Sequence, residues 1–280
     1  MGTITEEEFI NGLLDDLEKD KLVLPTLPEV ALRVRDTLSD ELKSLADVAT
    51  IITTDTALSA RLIQIANSPL LRTARAIESV EGAVTRLGGD MIRNLVTSIV
   101  MEQMFQATTD VTDKRLRRIW EHSTQVAAIS SALAKQFTKL KPDMALLAGL
   151  VHDIGALPIL TRAEDFPEIL ENEAILDQII AKTHTKVGSA ILAKWHFPPE
   201  LVGVVAEHED IMRNHGGDLD YTDIIIAANL QSLIGTNHPH TQLDWDSVPA
   251  FQKLGLTAEI NVVEMDGTGE EIEAVKSALG

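Results

Sequence analysis

A chain of 280 residues, 45% of them hydrophobic, is long enough for one large domain or two small ones and carries ample apolar material for a core. Its 24 basic and 43 acidic residues give a net charge of −19, which repels a phosphate backbone and excludes nucleic acid from the expected partners. The absence of cysteine removes disulfides and thiolate sites, so any metal ion must sit on His, Asp, Glu or Asn.

The first residues, Met1 to Glu8, are acidic where a secretory signal is basic and then apolar, and no uncharged stretch reaches membrane-spanning length. The chain is therefore expected to be cytoplasmic and soluble, with no membrane contact. Thr5 and Glu8 have capping-box spacing ahead of Phe9, Leu13, Leu14 and Leu17, which predicts an opening helix. Leu24-Pro25-Thr26-Leu27-Pro28 predicts an extended lead-in, with Pro28 as the first residue of a helix bearing Val30, Val34 and Leu38. Ser44 with Asp47, and then Asp55, are expected to cap two short helices, the second stopped by Asn67-Ser68-Pro69. A helix from Ser79 to Leu87 ends at Gly88-Gly89, and Asp90 is expected to cap the next, whose face is Met91, Leu95, Ile99 and Met104. This pair has the outline of a helix-turn-helix, but the second helix has only Arg93 as a base before Glu102, so core packing is the expected role.

Ala107 to Thr112 is polar and predicts a boundary between two helical lobes. The second opens with a helix from about Asp113 to Phe137, on which His122 shares a face with Ile119, Val126, Ile129 and Leu133. A helix beginning at Pro142-Asp143 runs through Leu146-Leu147-Ala148-Gly149-Leu150-Val151 and stops at His152-Asp153, two polar groups closing an apolar wall. Thr161 to Glu173 is poorly periodic. His184 then aligns with Val187, Ile191 and Trp195, His208 with Leu201 and Val204, and Asn229 lies among Ile225, Ile226 and Leu233 on a helix from Tyr221. From Thr236 onward the chain is mostly loop, including Asp266-Gly267-Thr268-Gly269. Modest helices are predicted at Phe251 to Leu254 and Glu270 to Leu279, packing back on the body or on a partner.

Of the eight histidines, His122, His152, His184 and His208 occupy apolar faces of four helices, while His196, His215, His238 and His240 fall in breaks. Four inward histidines beside Asp153 point to a shared polar site. Neutral imidazoles bind divalent ions, a carboxylate supplies charge, and a bound water brought towards neutral pKa is a nucleophile for phosphoesters.

The order His122, His152-Asp153, His184, His208 resembles the HD superfamily of metal-dependent phosphohydrolases. The closer resemblance is to HDOD signalling domains. It rests on Leu24-Pro25-Thr26-Leu27-Pro28-Glu29-Val30, Asp55-Thr56-Ala57-Leu58, Ala66-Asn67-Ser68-Pro69, Ala83-Val84-Thr85-Arg86-Leu87-Gly88, Trp120-Glu121-His122-Ser123 and His152-Asp153-Ile154-Gly155. It covers about residues 20–235: an N-terminal helical lobe at about 20–107 and an HD-like lobe at about 113–235, followed by a C-terminal tail at 236–280. The resemblance implies an all-α fold and a bacterial signal-transduction module, non-catalytic or weakly catalytic, that acts through contacts with other signalling proteins. A homo-oligomer is compatible with it.

The alternative it implies is a metal-dependent phosphohydrolase, a phosphodiesterase acting on a nucleotide or another phosphoester. His152 and Asp153 would then be catalytic. His122, His152 and Asp153 would hold one divalent ion (iron, manganese, nickel, zinc or magnesium) with Asn229 as a weak further ligand. His184 and His208 would hold a second ion bridged by Asp153. Asn229 stands where catalytic HD enzymes carry an aspartate, which leaves Asp153 as the one clear anion and predicts weakly held metal. Relative to the cyclic di-GMP phosphodiesterases of the superfamily, Ala156 replaces a lysine, Glu207-His208-Glu209 replaces a histidine pair, and no Gly-Tyr-Pro follows. These departures argue against cyclic di-GMP hydrolysis.

Overall fold

The computed structural model describes residues 4–69, 71, 76–105, 110–265 and 268–279, and its regular elements are all helical. Ala107 to Thr109 of the expected boundary, and Asp266 and Gly267 of the glycine-rich stretch, lie outside the described residues.

α1 (Glu6–Glu18) starts on the Thr5/Glu8 capping box and ends before Asp20, whose φ of 54° reverses the chain. It buries Phe9 and Leu13 and lies against a later helix, α11, to which Lys182 and Lys186 tie it by pairing with Glu6 and Glu18. Pro28 proves to be the extended N-cap of α2 (Glu29–Ser39) rather than its first residue, with ψ at 140°. Ser44 and Asp55 cap α3 (Leu45–Thr53) and α4 (Thr56–Ala66) by accepting from the amides of Asp47 and Leu58. Asn67 ends α4 and uses both ends of its amide to hold the main chain of Ile77.

Between α5 (Val80–Leu87) and α6 (Gly89–Val100) the junction differs from expectation. Gly88, at φ 81°, caps both helices, and Asp90 lies inside the first turn of α6. The buried face of α6 is Ile92, Leu95, Val96 and Ile99, with Met91 half-buried and Met104 in a following 3-10 turn.

α7 (Asp110–Phe137) is the axis of the molecule, with three later helices, α8, α13 and α15, packed along it. α8 (Pro142–Val151) buries every residue from Ala145 to Val151. Asn94 of α6 donates to Asp143 in its first turn at 2.7 Å, joining the earlier helices to it. After a turn at 152–155 come α9 (Ala156–Ala163), which reaches into the segment Thr161 to Glu173 that the sequence shows as poorly periodic, and the short α10 (Pro167–Leu170) within it. α9 buries Ala156, Leu157, Pro158, Ile159, Leu160 and Ala163 and leaves Thr161 exposed. The stretch Pro142–Ala163 has the length and mean hydropathy (1.6) of a membrane-crossing segment, but 83% of its apolar window is buried inside the protein.

α11 (Glu173–Lys194), α12 (Pro199–Glu207) and α13 (Tyr221–Ser232) complete the wall around the turn at 152–155. The final stretch packs on the body. α14 (Pro249–Leu254) lies on α13, and α15 (Thr268–Leu279) lies on α7, where Lys135 pairs with Glu271 and Gln136 donates to Thr268. One continuous hydrophobic core runs from Phe9 to Leu279.

Candidate metal centre

Two glycines set the approach of the helices. A Cβ on Gly149 would lie 2.4 Å from Ala127 Cα, so α8 meets α7 backbone to backbone one turn beyond His122. A Cβ on Gly155 would lie 1.9 Å from the His184 carbonyl, so the turn after Asp153 rests directly on α11. No larger side chain fits at either contact without moving a helix. The effect is to draw His122 on α7, His152 and Asp153 after α8, His184 on α11 and His208 at the end of α12 to one place.

Asp153 stands at its middle, and its two oxygens face different ways. Oδ2 lies 3.3 Å from His152 Nε2 and 3.9 Å from His122 Nε2. Oδ1 lies 3.4 Å from the Nε2 atoms of both His184 and His208, which are themselves 3.2 Å apart. Glu209 adds its Oε1 at 3.7 Å from His184 and 3.6 Å from His208. His152, His184 and His208 are buried, whereas the His122 side chain is 31% exposed and Glu209 45%.

The hydrogen bonds fix which ring nitrogens face inward. His152 Nδ1 bonds the Gly149 carbonyl at 2.7 Å, His184 Nδ1 that of Ile180 at 2.7 Å, and His208 Nδ1 those of Val204 and Val205 at 3.2 Å. A carbonyl only accepts, so each Nδ1 carries a proton, and each ring turns its Nε2 towards Asp153, as a lone pair wherever that ring is neutral. The Nε2 atoms of His184 and His208 lie within hydrogen-bond distance of each other, whereas His152 Nε2 is buried with no hydrogen-bond partner among the described residues. Such a set requires positive charge in its midst.

A divalent ion fits that requirement. Ligand atoms about 2.1 Å from one ion sit about 3.0–4.2 Å from each other; the distances given above run from 3.2 to 3.9 Å. Two groups, His122/His152/Asp153 and Asp153/His184/His208/Glu209, each have all their ligand atoms within 4.8 Å of one another, with Asp153 common to both. Glu209 corrects the expectation that Asp153 is the one anion. Its adjacency to His208 is the signal the sequence offers, hidden because the helical pattern ends at that point.

Electrostatics agrees with the tautomer at His152 and sets His208 apart from it. Burial drives the His152 imidazole down to about 3 against the pull of Asp153, so it is neutral. Burial would raise the Asp153 carboxyl, but His152, His208 and His184 outweigh it and hold it well below the usual carboxylate range. Burial likewise opposes protonation of His208, yet the hydrogen bond and charge of Asp153, with Glu209 behind it, keep it above 6.5.

Asn229 is half-buried on α13, where its main-chain oxygen accepts from Ser232, and its amide side chain makes no hydrogen bond among the described residues. His196, His215, His238 and His240 lie outside both groups. A further acidic group, His215, Asp220 and Asp223, already holds cations in Arg213 and Lys253, so ion pairing accounts for it.

The HDOD domain family matches residues 24–211. A candidate metal-dependent phosphohydrolase from Shewanella amazonensis SB2B has a crystal structure with a TM-score of 0.87 to this chain. The two are 34% identical, over 98% of this chain and 99% of that one. An HDOD domain protein of unknown function from Geobacter sulfurreducens shares the fold, with a TM-score of 0.63 at 22% identity, over 97% and 99% of the two chains. An uncharacterized protein of Treponema pallidum (strain Nichols) is 25% identical over 205 residues, 67% of this chain, which spans only 38% of that relative's length.

Proposed function

The chain belongs to the HDOD family, and from that premise we propose that helices α7 to α13 hold a divalent-metal centre able to hydrolyse a phosphoester within a signalling-type domain. The observation that carries this reading is the convergence of three buried imidazole Nε2 atoms on both oxygens of Asp153. His122, His152 and Asp153 would hold one ion, with Asn229 as a weak further ligand. His184, His208 and Glu209 would hold another, with Asp153 bridging. Ions bound there would bring a water towards neutral pKa and polarise a phosphoryl oxygen.

The chain's own residues supply the rest. Main-chain carbonyls at Gly149, Ile180 and Val204 keep the imidazoles in the binding tautomer, the arrangement that raises ligand basicity in metal sites. Asp153 and Glu209 bring negative charge without burying an isolated ion, since Glu209 reaches solvent. The likeness to the Shewanella amazonensis protein supports the same chemistry.

A second reading, a regulatory module acting on other signalling proteins with the metal in a structural role, is favoured by Ala156 and Asn229, which offer neither a phosphate-binding cation nor a further anion. Metal analysis of protein purified without chelator, followed by phosphoesterase assays with manganese, iron or nickel, separates the two. Bound metal with turnover that His152→Ala abolishes is the expected result. Bound metal without turnover favours the regulatory reading, and the lack of both metal and turnover contradicts the centre.

A further inference from the structure

The cleft beside the centre contains an arginine that makes no ion pair among the described residues. Arg115, Arg118 and His122 fall at i, i+3 and i+7 on α7, so both arginines share the face that brings His122 to Asp153. Arg115 is 11% exposed and paired with Asp177 at 2.6 Å. Arg118 is exposed and has no carboxylate partner among the described residues. Both line a cleft of about 350 Å³ whose lining also includes Asp153, His184 and Glu209, with Glu173 and Asp177 on it as well. Ile119, Ile180 and Ala181 give the same cleft an apolar side.

We propose that this cleft binds a phosphate monoester of about mononucleotide size, with Arg118 holding the phosphate beside Asp153 and His184. The assignment rests on the metal-centre reading and adds a ligand class and a specificity residue to it. A guanidinium presents a planar fork that matches two phosphate oxygens. A monoester has three free oxygens, two for the fork and one left to face the centre, whereas a diester has only two in all. The volume lies near the lower end of the roughly 300–1,000 Å³ usual for ligand pockets, which suits one nucleotide better than a cyclic dinucleotide. With Ala156 in place of a lysine, Arg118 is the cation lining this cleft that makes no ion pair among the described residues.

The test is calorimetric titration of inorganic phosphate, adenosine 5′-monophosphate and a cyclic dinucleotide into wild type, Arg118→Ala and Arg118→Lys, with the metal content of each protein measured in parallel. The proposal expects phosphate and the mononucleotide to compete for one site. Arg118→Ala should weaken both at least about tenfold, Arg118→Lys should restore part of the loss, and metal content should stay at the wild-type level. Equal binding by Arg118→Ala, no phosphate binding by wild type, or tighter binding of the cyclic dinucleotide than of the mononucleotide overturns it. The metal content reads the centre separately. Metal-free wild type whose phosphate binding still depends on Arg118 contradicts the centre and supports the cleft, while metal-loaded protein indifferent to Arg118 does the reverse.

Discussion

His152 shows how a single buried side chain prepares this site and what it costs. In an unfolded chain it titrates near 6.5, but in the fold near 3, so the unfolded state takes up a proton that the native state refuses. The stability this contributes is fully present above pH 6.5 and is lost as pH falls towards 3. His208, raised above 6.5, acts in the opposite sense and loses its contribution only as pH rises through its own value, so it adds no slope below 6.5. Chelator-treated protein should therefore lose about 3 kcal/mol between pH 6.5 and about pH 4.5. His152→Leu should flatten that loss in thermal unfolding, and an unchanged slope would place the titrating group elsewhere. At Asn229, substitution by Asp should tighten metal binding by about tenfold or more in competition with a chelator, and unchanged affinity would remove Asn229 from the ligand set. The four inward histidines and Asp153 were legible in the sequence because helical spacing alone aligns them with apolar neighbours. Glu209 was not, because it lies just past the end of α12 and only the fold turns it back on His184.

At the level of helices, the centre depends on contacts too close for a side chain. Gly155→Ala would put a methyl 1.9 Å from the His184 carbonyl and 2.6 Å from the Gly188 nitrogen, both backbone atoms. A cost of about 3 kcal/mol or more is expected, seen as a lower melting temperature together with reduced metal content. Full metal loading in this variant would show that α11 need not touch the turn. Capping chemistry made α1, α3 and α4 readable residue by residue, since Thr5, Ser44 and Asp55 each bond the amide expected of them. The reading failed where that chemistry is absent. α9 has no capping side chain and apolar residues on most faces, and at Gly88 a positive φ replaces the cap expected of Asp90.

Across the whole molecule the last 45 residues are less separate than loop-rich composition suggests. Trp245, Phe251, Val262, Ile272 and Leu279 are buried in the same core as α7, which the sequence could not show because α14 packs on α13 and α15 on α7, the latter more than 100 residues away. A chain ending at Gly235 would expose that surface. It should aggregate or melt well below the full chain, and equal melting temperatures would mean that the tail merely decorates the body. The same packing holds α7, and with it His122, against the turn that presents Asp153. The most direct measurement of the central claim is therefore metal stoichiometry, by elemental analysis, of wild type and Asp153→Asn after dialysis against manganese or iron. The arrangement of two ligand groups sharing Asp153 predicts up to two ions per chain in wild type and almost none in the variant. Wild type that retains no metal, or a variant that retains as much, would contradict it.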